Sequence, residues 1–291
     1  MTKTAKRARS VICTLLAFIL ALSATLTVAC AALALSALNP GFAVKIAAHS
    51  QYSEHLAAEL KEEFISYGNA CNIDESFFDL VFNNDITPAR IDADTETVLR
   101  EFYAGEVQDT VNTEDLHDSL LWRLSDYAIA KGFTVEPSDD NVIYQNLSTI
   151  ADELCDIYNA YVSVFSMSVF KTASRMLATY RPYAWYGAGA GAVLFVISAV
   201  LLRLYYQKKK NYLRFFIYGF SASALMLAVA PAAALILRIG NRINIASAAL
   251  YALATGMINS TLAAVLLSAL VPALVTVLLV LVRKKAVQNN R

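Results

Sequence analysis

The chain of 291 residues is 57% hydrophobic and only 16% charged, and its 24 Lys and Arg balance 24 Asp and Glu to a formal net charge of zero. That balance conceals a segregation. All 24 acids lie between Glu54 and Asp156, the block from Asn39 to Arg181 sets them against 9 Lys and Arg for a balance of −15, and the other 15 basic residues stand unopposed elsewhere. No nucleic-acid partner is expected, and the pattern points to a membrane protein with one acidic domain.

In chain order, residues 1–10 form a basic tail with Lys3, Lys6, Arg7 and Arg9, and residues 11–38 the first apolar run. Four such runs, 11–38, 182–204, 215–237 and 262–282, each provide about 20 or more residues, enough at ~1.5 Å per residue to cross a ~30 Å hydrocarbon layer. The first run also has features of a cleaved signal, since Ala32-Leu33-Ala34 suits a signal peptidase and Thr27-Val28-Ala29-Cys30 resembles a lipoprotein site. At 28 residues it is about twice the length of a signal core, so it is read as a retained anchor.

The block 39–181 has a helical pattern. Leu56, Leu60 and Phe64 repeat at four-residue steps in a segment from Tyr52 to Tyr67 that stops at Gly68, a candidate left-handed cap. Asp74 is placed to cap a short helix through Phe82. Pro88 to Tyr103 ends before Gly105, and Asn112 or Thr113 can cap Glu114 to Lys131, which ends at Gly132. From Asp139 a heptad seam runs through Ile143, Leu147, Ile150, Leu154, Ile157, Tyr161 and Val164. The seam fits the long helix of an intramolecular bundle better than a dimer stalk. Pro182 is expected to break this helix at the membrane surface.

Beyond the block, residues 205–214 form a short basic loop, 238–261 an interrupted apolar segment read as an amphipathic helix at the interface, and 283–291 a basic tail. Thirteen basic residues flank one side of the spans: Lys3, Lys6, Arg7, Arg9, Arg203, Lys208, Lys209, Lys210, Arg214, Arg283, Lys284, Lys285 and Arg291. Only Arg238 and Arg242 serve the loop on the other side. Both termini are therefore expected in the cytoplasm and the acidic block outside. A cysteine at Asp109 should be labelled from outside and one at Lys209 should not. Tyr180, Tyr183, Trp185 and Tyr186 on one side, and Tyr205, Tyr206, Tyr212, Phe215 and Phe216 on the other, suit interfacial rings. The fold class expected is an all-α membrane protein of four transmembrane helices, with one α-helical extracytoplasmic domain inserted between the first and second.

The residues offer no reaction centre. Asp92, Asp94 and Glu96 have the alternate spacing that opens a calcium loop, but Thr97 and Tyr103 stand where Gly and a bidentate Glu are needed. Acids at helix starts account for them, for Glu114 and Asp115, and for Asp139 and Asp140. His49, His55 and His117 lack metal spacing. Gly187-Ala-Gly189-Ala-Gly191 opens an apolar helix and is no phosphate loop; Gly187 and Gly191 form a small-xxx-small pair for helix packing or, less simply, homodimerisation. Pro231 and Pro272 should kink their spans. Cys71 and Cys155 either pair or remain as buried thiols.

No catalytic, cofactor-binding or metal residue is assigned, no cofactor is expected, and binding is favoured over turnover. The expected partners are the lipid bilayer and a protein recognised by the acidic domain, with a homo-oligomer also compatible. Two other classes fit less well. One span, a large outer domain and three further spans is a layout similar, in topology alone, to cell-division and macrolide-export ABC permeases. An outer-leaflet lipid- or lipoprotein-modifying enzyme would have only Arg238, Asn241, Arg242, Asn244 and Asn259 as its polar set.

Overall fold

The computed structural model describes residues 3–108, 110–138, 141–205 and 209–288. Asp109, Asp139, Asp140, Tyr206, Lys208 and Arg291, given roles above, lie outside the described residues. All regular structure among the described residues is helical: α1 (Lys3–Leu35), α2 (Pro40–His49), α3 (Tyr52–Ala70), α4 (Glu75–Asn84), α5 (Pro88–Ala104), α6 (Glu114–Ala130), α7 (Val142–Val162), α8 (Ser168–Tyr205), α9 (Lys209–Ile236), α10 (Ala248–Ser268) and α11 (Leu270–Gln288). Four stretches are long and apolar enough to cross a membrane, namely Val11–Leu35, Ser168–Tyr205, Tyr212–Ile236 and Ala248–Lys285. The chain divides into an acidic unit, Pro40–Thr179 with Ile243–Gly256, and an apolar unit made of the remainder.

In the acidic unit every helix turns an apolar stripe inward, as a 3.6-residue period requires of a packed helix. Tyr52, Leu56, Leu60 and Phe64 of α3, Phe77, Phe78 and Val81 of α4, Ile91, Val98 and Leu99 of α5 and Leu116, Leu120 and Leu124 of α6 are buried. Helix α7 packs against α6, α3 and α5, so its apolar face is used within the chain. That face is rotated from the predicted seam. Leu154 is fully buried, but its companions are Ala151, Cys155, Tyr158, Asn159 and Val162, while Leu147, Ile157 and Tyr161 are half-buried. A seam counted in heptads suits one partner helix; three partners select a wider face with polar members.

Several expected boundaries move. Gly68 does not end α3, which continues to Ala70. A Cβ there would clash with the Phe78 ring, so this glycine admits the ring, and the left-handed turn falls at Asn72. Gly105 and Gly132 do take positive φ, 83° and 92°, and end α5 and α6 as expected. The long helix breaks at the 3₁₀ turn Val164–Ser166, not at Pro182, which lies inside continuous α8. A proline removes one hydrogen bond, and helix on both sides of it holds the direction.

The apolar unit packs α9 against α1 and α11, with Cys13, Leu20 and Leu202 buried together beneath Leu16, Phe195 and Phe216. A 3.1 Å hydrogen bond joins the hydroxyls of Thr25 and Ser223. The Gly187 and Gly191 pair is occupied inside the chain. A Cβ on Gly191 would meet Thr27 N at 3.0 Å and Ser23 O at 3.1 Å, and one on Gly187 would meet Cys30 Sγ at 3.1 Å. The expected span 262–282 is not one helix, because α10 ends at Ser268 and α11 begins at Leu270. Pro272 accounts for the break, since its ring opposes the carbonyl four residues earlier, that of Ser268. Pro231, by contrast, lies within an unbroken α9.

The segment 238–261 is also not a single amphipathic helix. A 3₁₀ turn, Ile239–Arg242, leads to an irregular stretch and then α10, whose first residues belong to the acidic unit. Ser247 caps α10 by accepting from Leu250 N at 3.1 Å. Glu59, from α3, accepts from Ala249 N at 3.1 Å and from Ser247 Oγ at 2.9 Å. A carboxylate 190 residues away in sequence thus satisfies one open amide group of α10, that of Ala249.

Candidate functional site

Helix α6 buries Leu116, Leu120, Leu124 and Ala128, a four-residue repeat that commits one face to the core. Trp122 is out of phase with that repeat and cannot join it. It is 62% exposed, with Ile129 at 53% and Phe133 at 56%. The helix ends in a Schellman turn, in which Gly132 N donates to Ile129 O (2.9 Å) and Phe133 N to Ala128 O (3.0 Å). Val135 and Pro137, beyond the end of α6, and Tyr144 of α7 line an open groove of about 390 Å³ with Asp118, Leu121, Trp122, Ser125 and Ile129.

Carboxylates predominate on the groove side of α6. At about 100° per residue, Asp115, Asp118 and Asp126 lie within about 40° of Trp122 around α6, whereas Arg123 and Lys131 lie about 100° and 180° away. Both cations are also engaged elsewhere. Arg123 pairs with Asp85, which accepts from Ser119 Oγ as well, and its guanidinium lies 5.8 Å from the Trp122 ring centre. Lys131 pairs with Asp74 at 2.7 Å. The Lys131 and Tyr127 hydrogen bonds hold the Asp74 carboxyl below its ordinary range, and Asp74 in turn holds the Lys131 ammonium above its own. Asp74 therefore does not cap α4 with its side chain.

A second cluster is structural. Tyr158 donates to Asp94, whose carboxylate lies 4.0 Å from Arg90 Nε, and burial first, then Asp94, pushes the phenol pKa up. Asn159 accepts from Val111 N at 3.0 Å and reaches Thr113, fastening the chain before α6 to α7. Burial pushes the Cys155 thiol to about 11, which leaves it protonated at neutral pH and a poor nucleophile.

The remaining candidates disperse. Asp92, Asp94 and Glu96 sit within α5, beyond its first turn; Asp92 is exposed and Glu96 pairs with Arg100 at 2.6 Å. The helix starts at Pro88, so the macrodipole does not explain them, while Glu114 and Asp115 do occupy a first turn. His49 and His55 are exposed, and His117 lies 3.3 Å from both Asp118 and Asp152. Among the described residues no group of three His, Cys, Asp or Glu converges as a metal site, and Cys71 and Cys155 are free thiols. Asn259 meets Asn241 at 3.4 Å and Gly240 packs against it, while Arg238, Arg242 and Asn244 are exposed.

No protein-family model matches the chain, and no curated protein or solved structure is significantly similar to it. No sequence motif marks the groove. Its signal is a tryptophan two residues out of step with Leu116, Leu120 and Leu124, but the walls that make it concave come from separate segments.

Proposed function

We propose that the protein is a multipass protein of the cell membrane, with both termini cytoplasmic, that presents its acidic unit outside as a recognition element for a cationic protein partner. The observation that carries this reading is the groove beside Trp122, where exposed aromatic and apolar surface coincides with the carboxylates of Asp118 and Asp126, while the one Arg of α6, Arg123, is paired with Asp85. Apolar floor supplies affinity and uncancelled charge supplies selection and attraction at a distance. Four long apolar stretches support the membrane setting. The contact of Glu59 with Ser247 supports the part of the topology that puts residues 39–181 and the segment before α10 on one side, and the 13 to 2 basic asymmetry supports which side that is.

Two measurements test this reading. An impermeant maleimide applied to intact cells should label a cysteine replacing exposed Thr134 but not one replacing Lys209. The reverse pattern overturns the topology. Binding of a basic protein to the purified chain should weaken from 0.05 M to 0.5 M salt, since at ~0.15 M charges more than ~8 Å apart are already screened. Salt-independent binding would remove the electrostatic selection.

A further inference from the structure

On the reading of the acidic unit as a recognition element, we propose that the Trp122 groove is the docking site of a cationic amphipathic helix of about three turns. Size, available contacts and charge each argue for this occupant. From Asp118 to Ile129 the groove follows α6 for 11 residues, or about 17 Å at ~1.5 Å per residue. A partner helix of 11 to 12 residues covers that length. An extended strand finds no purchase, because the described residues contain no strand and thus no open sheet edge for main-chain pairing. What the groove offers is side chains at helical spacing, Trp122, Ser125 and Ile129 on one wall and Val135, Pro137 and Tyr144 on the other, which suit apolar residues at i, i+3, i+4 and i+7.

Charge sets the sign of the partner and its direction. Glu114, Asp115 and Asp118 crowd the first turns of α6, while at its far end Lys131 is paired with Asp74. The strongest negative field therefore lies near Asp118, and the bound helix places its basic residues there and along the Asp126 flank. An anionic helix would meet the carboxylates of Asp115, Asp118 and Asp126 along this face.

The test uses the full chain with Trp185→Phe, which leaves Trp122 as the single tryptophan reporter, in phosphatidylcholine nanodiscs with empty discs as the blank. The probe is the amidated peptide (Leu-Lys-Lys-Leu)3, with (Gly-Lys-Lys-Gly)3 and (Leu-Glu-Glu-Leu)3 as controls. Expected is a saturable blue shift of Trp122 emission with the first peptide alone. By anisotropy of labelled peptide, Trp122→Ser should weaken binding about 30-fold, the range of an aromatic hot spot, and Asp118→Asn with Asp126→Asn about 3- to 10-fold at low salt. Should Trp122→Ser disturb folding, Ile129→Ser on the same exposed wall serves instead. If the Gly/Lys peptide binds as tightly as the Leu/Lys peptide, or the groove variants leave affinity unchanged, the groove is not the site while acidic recognition stands. Equal binding of the Leu/Glu peptide overturns the cationic helix, and no binding of either Lys peptide above the blank overturns both readings.

Discussion

In the acidic unit the large side chains Phe64, Phe78, Leu116, Leu120 and Leu154 are entirely buried, whereas Leu267, Leu274 and Leu278 of the apolar unit are more than 60% exposed. On the membrane placement proposed above, the same residue type meets two solvents. In water each exposed Å² of apolar surface costs about 25 cal/mol, so the acidic unit is ordered by burial of large side chains. Lipid removes that penalty, and helices come together through small residues and interhelical hydrogen bonds, as Gly191 on Thr27 and Thr25 on Ser223 do here. The contrast predicts which substitutions each unit resists.

The largest effect should come from the core of the acidic unit. Leu154→Ala is expected to destabilise the full chain by ~2–5 kcal/mol, and Leu274→Ala by no more than about 0.5 kcal/mol, read as Tm in nanodiscs. Equal losses would break the comparison. Next come the glycines, where adding one methyl group separates tight contacts from open ones. Gly191→Ala and Gly68→Ala should each cost ~1–3 kcal/mol through overpacking against Thr27 and Phe78, while Gly189→Ala, with no atom within 4 Å, should be near neutral.

A smaller effect sharpens the link between distant segments. Glu59→Gln keeps an acceptor for Ala249 N but loses its charge, at an expected cost of about 1 kcal/mol and with faster amide exchange at Ala249 and Leu250. Unchanged exchange would mean that α10 does not depend on this carboxylate. Least of all should be the Asp74–Lys131 pair, which is exposed. Its sign is definite. Asp74 is lowered, so its contribution is present above its unfolded value of ~3.9 and fades as pH falls through the folded value. Lys131 is raised, so its contribution is present below ~10.4 and fades as pH rises past the folded value. Asp74→Asn should therefore flatten the acid limb of Tm against pH slightly and leave the neutral region almost unchanged.

Local chemistry made the helices legible. Pro88, Asn112, Gly105 and Gly132 act within a few residues of themselves, and each marks a boundary that the fold respects. Gly68 and Pro182 end no helix, because the Phe78 ring fills the space beside the glycine and α8 continues on both sides of the proline, and Asp74 stands at the start of α4 as expected but gives its side chain to Lys131. The face of α7 was half legible. Leu154 follows from the seam, but Tyr158 and Asn159 are buried because Asp94, Val111 and Thr113 are there to satisfy them.

By itself the sequence determined the all-helical class, the four apolar stretches and the segregation of charge, because run length, period and composition are properties of neighbouring residues. Tertiary structure alone decided that residues 243–256 join the acidic unit, that Glu59 caps α10, and that Val135, Pro137 and Tyr144 line a groove beside Trp122. A cap or a concave surface exists only when segments far apart in the chain meet, and no periodicity within one segment encodes where the other will lie.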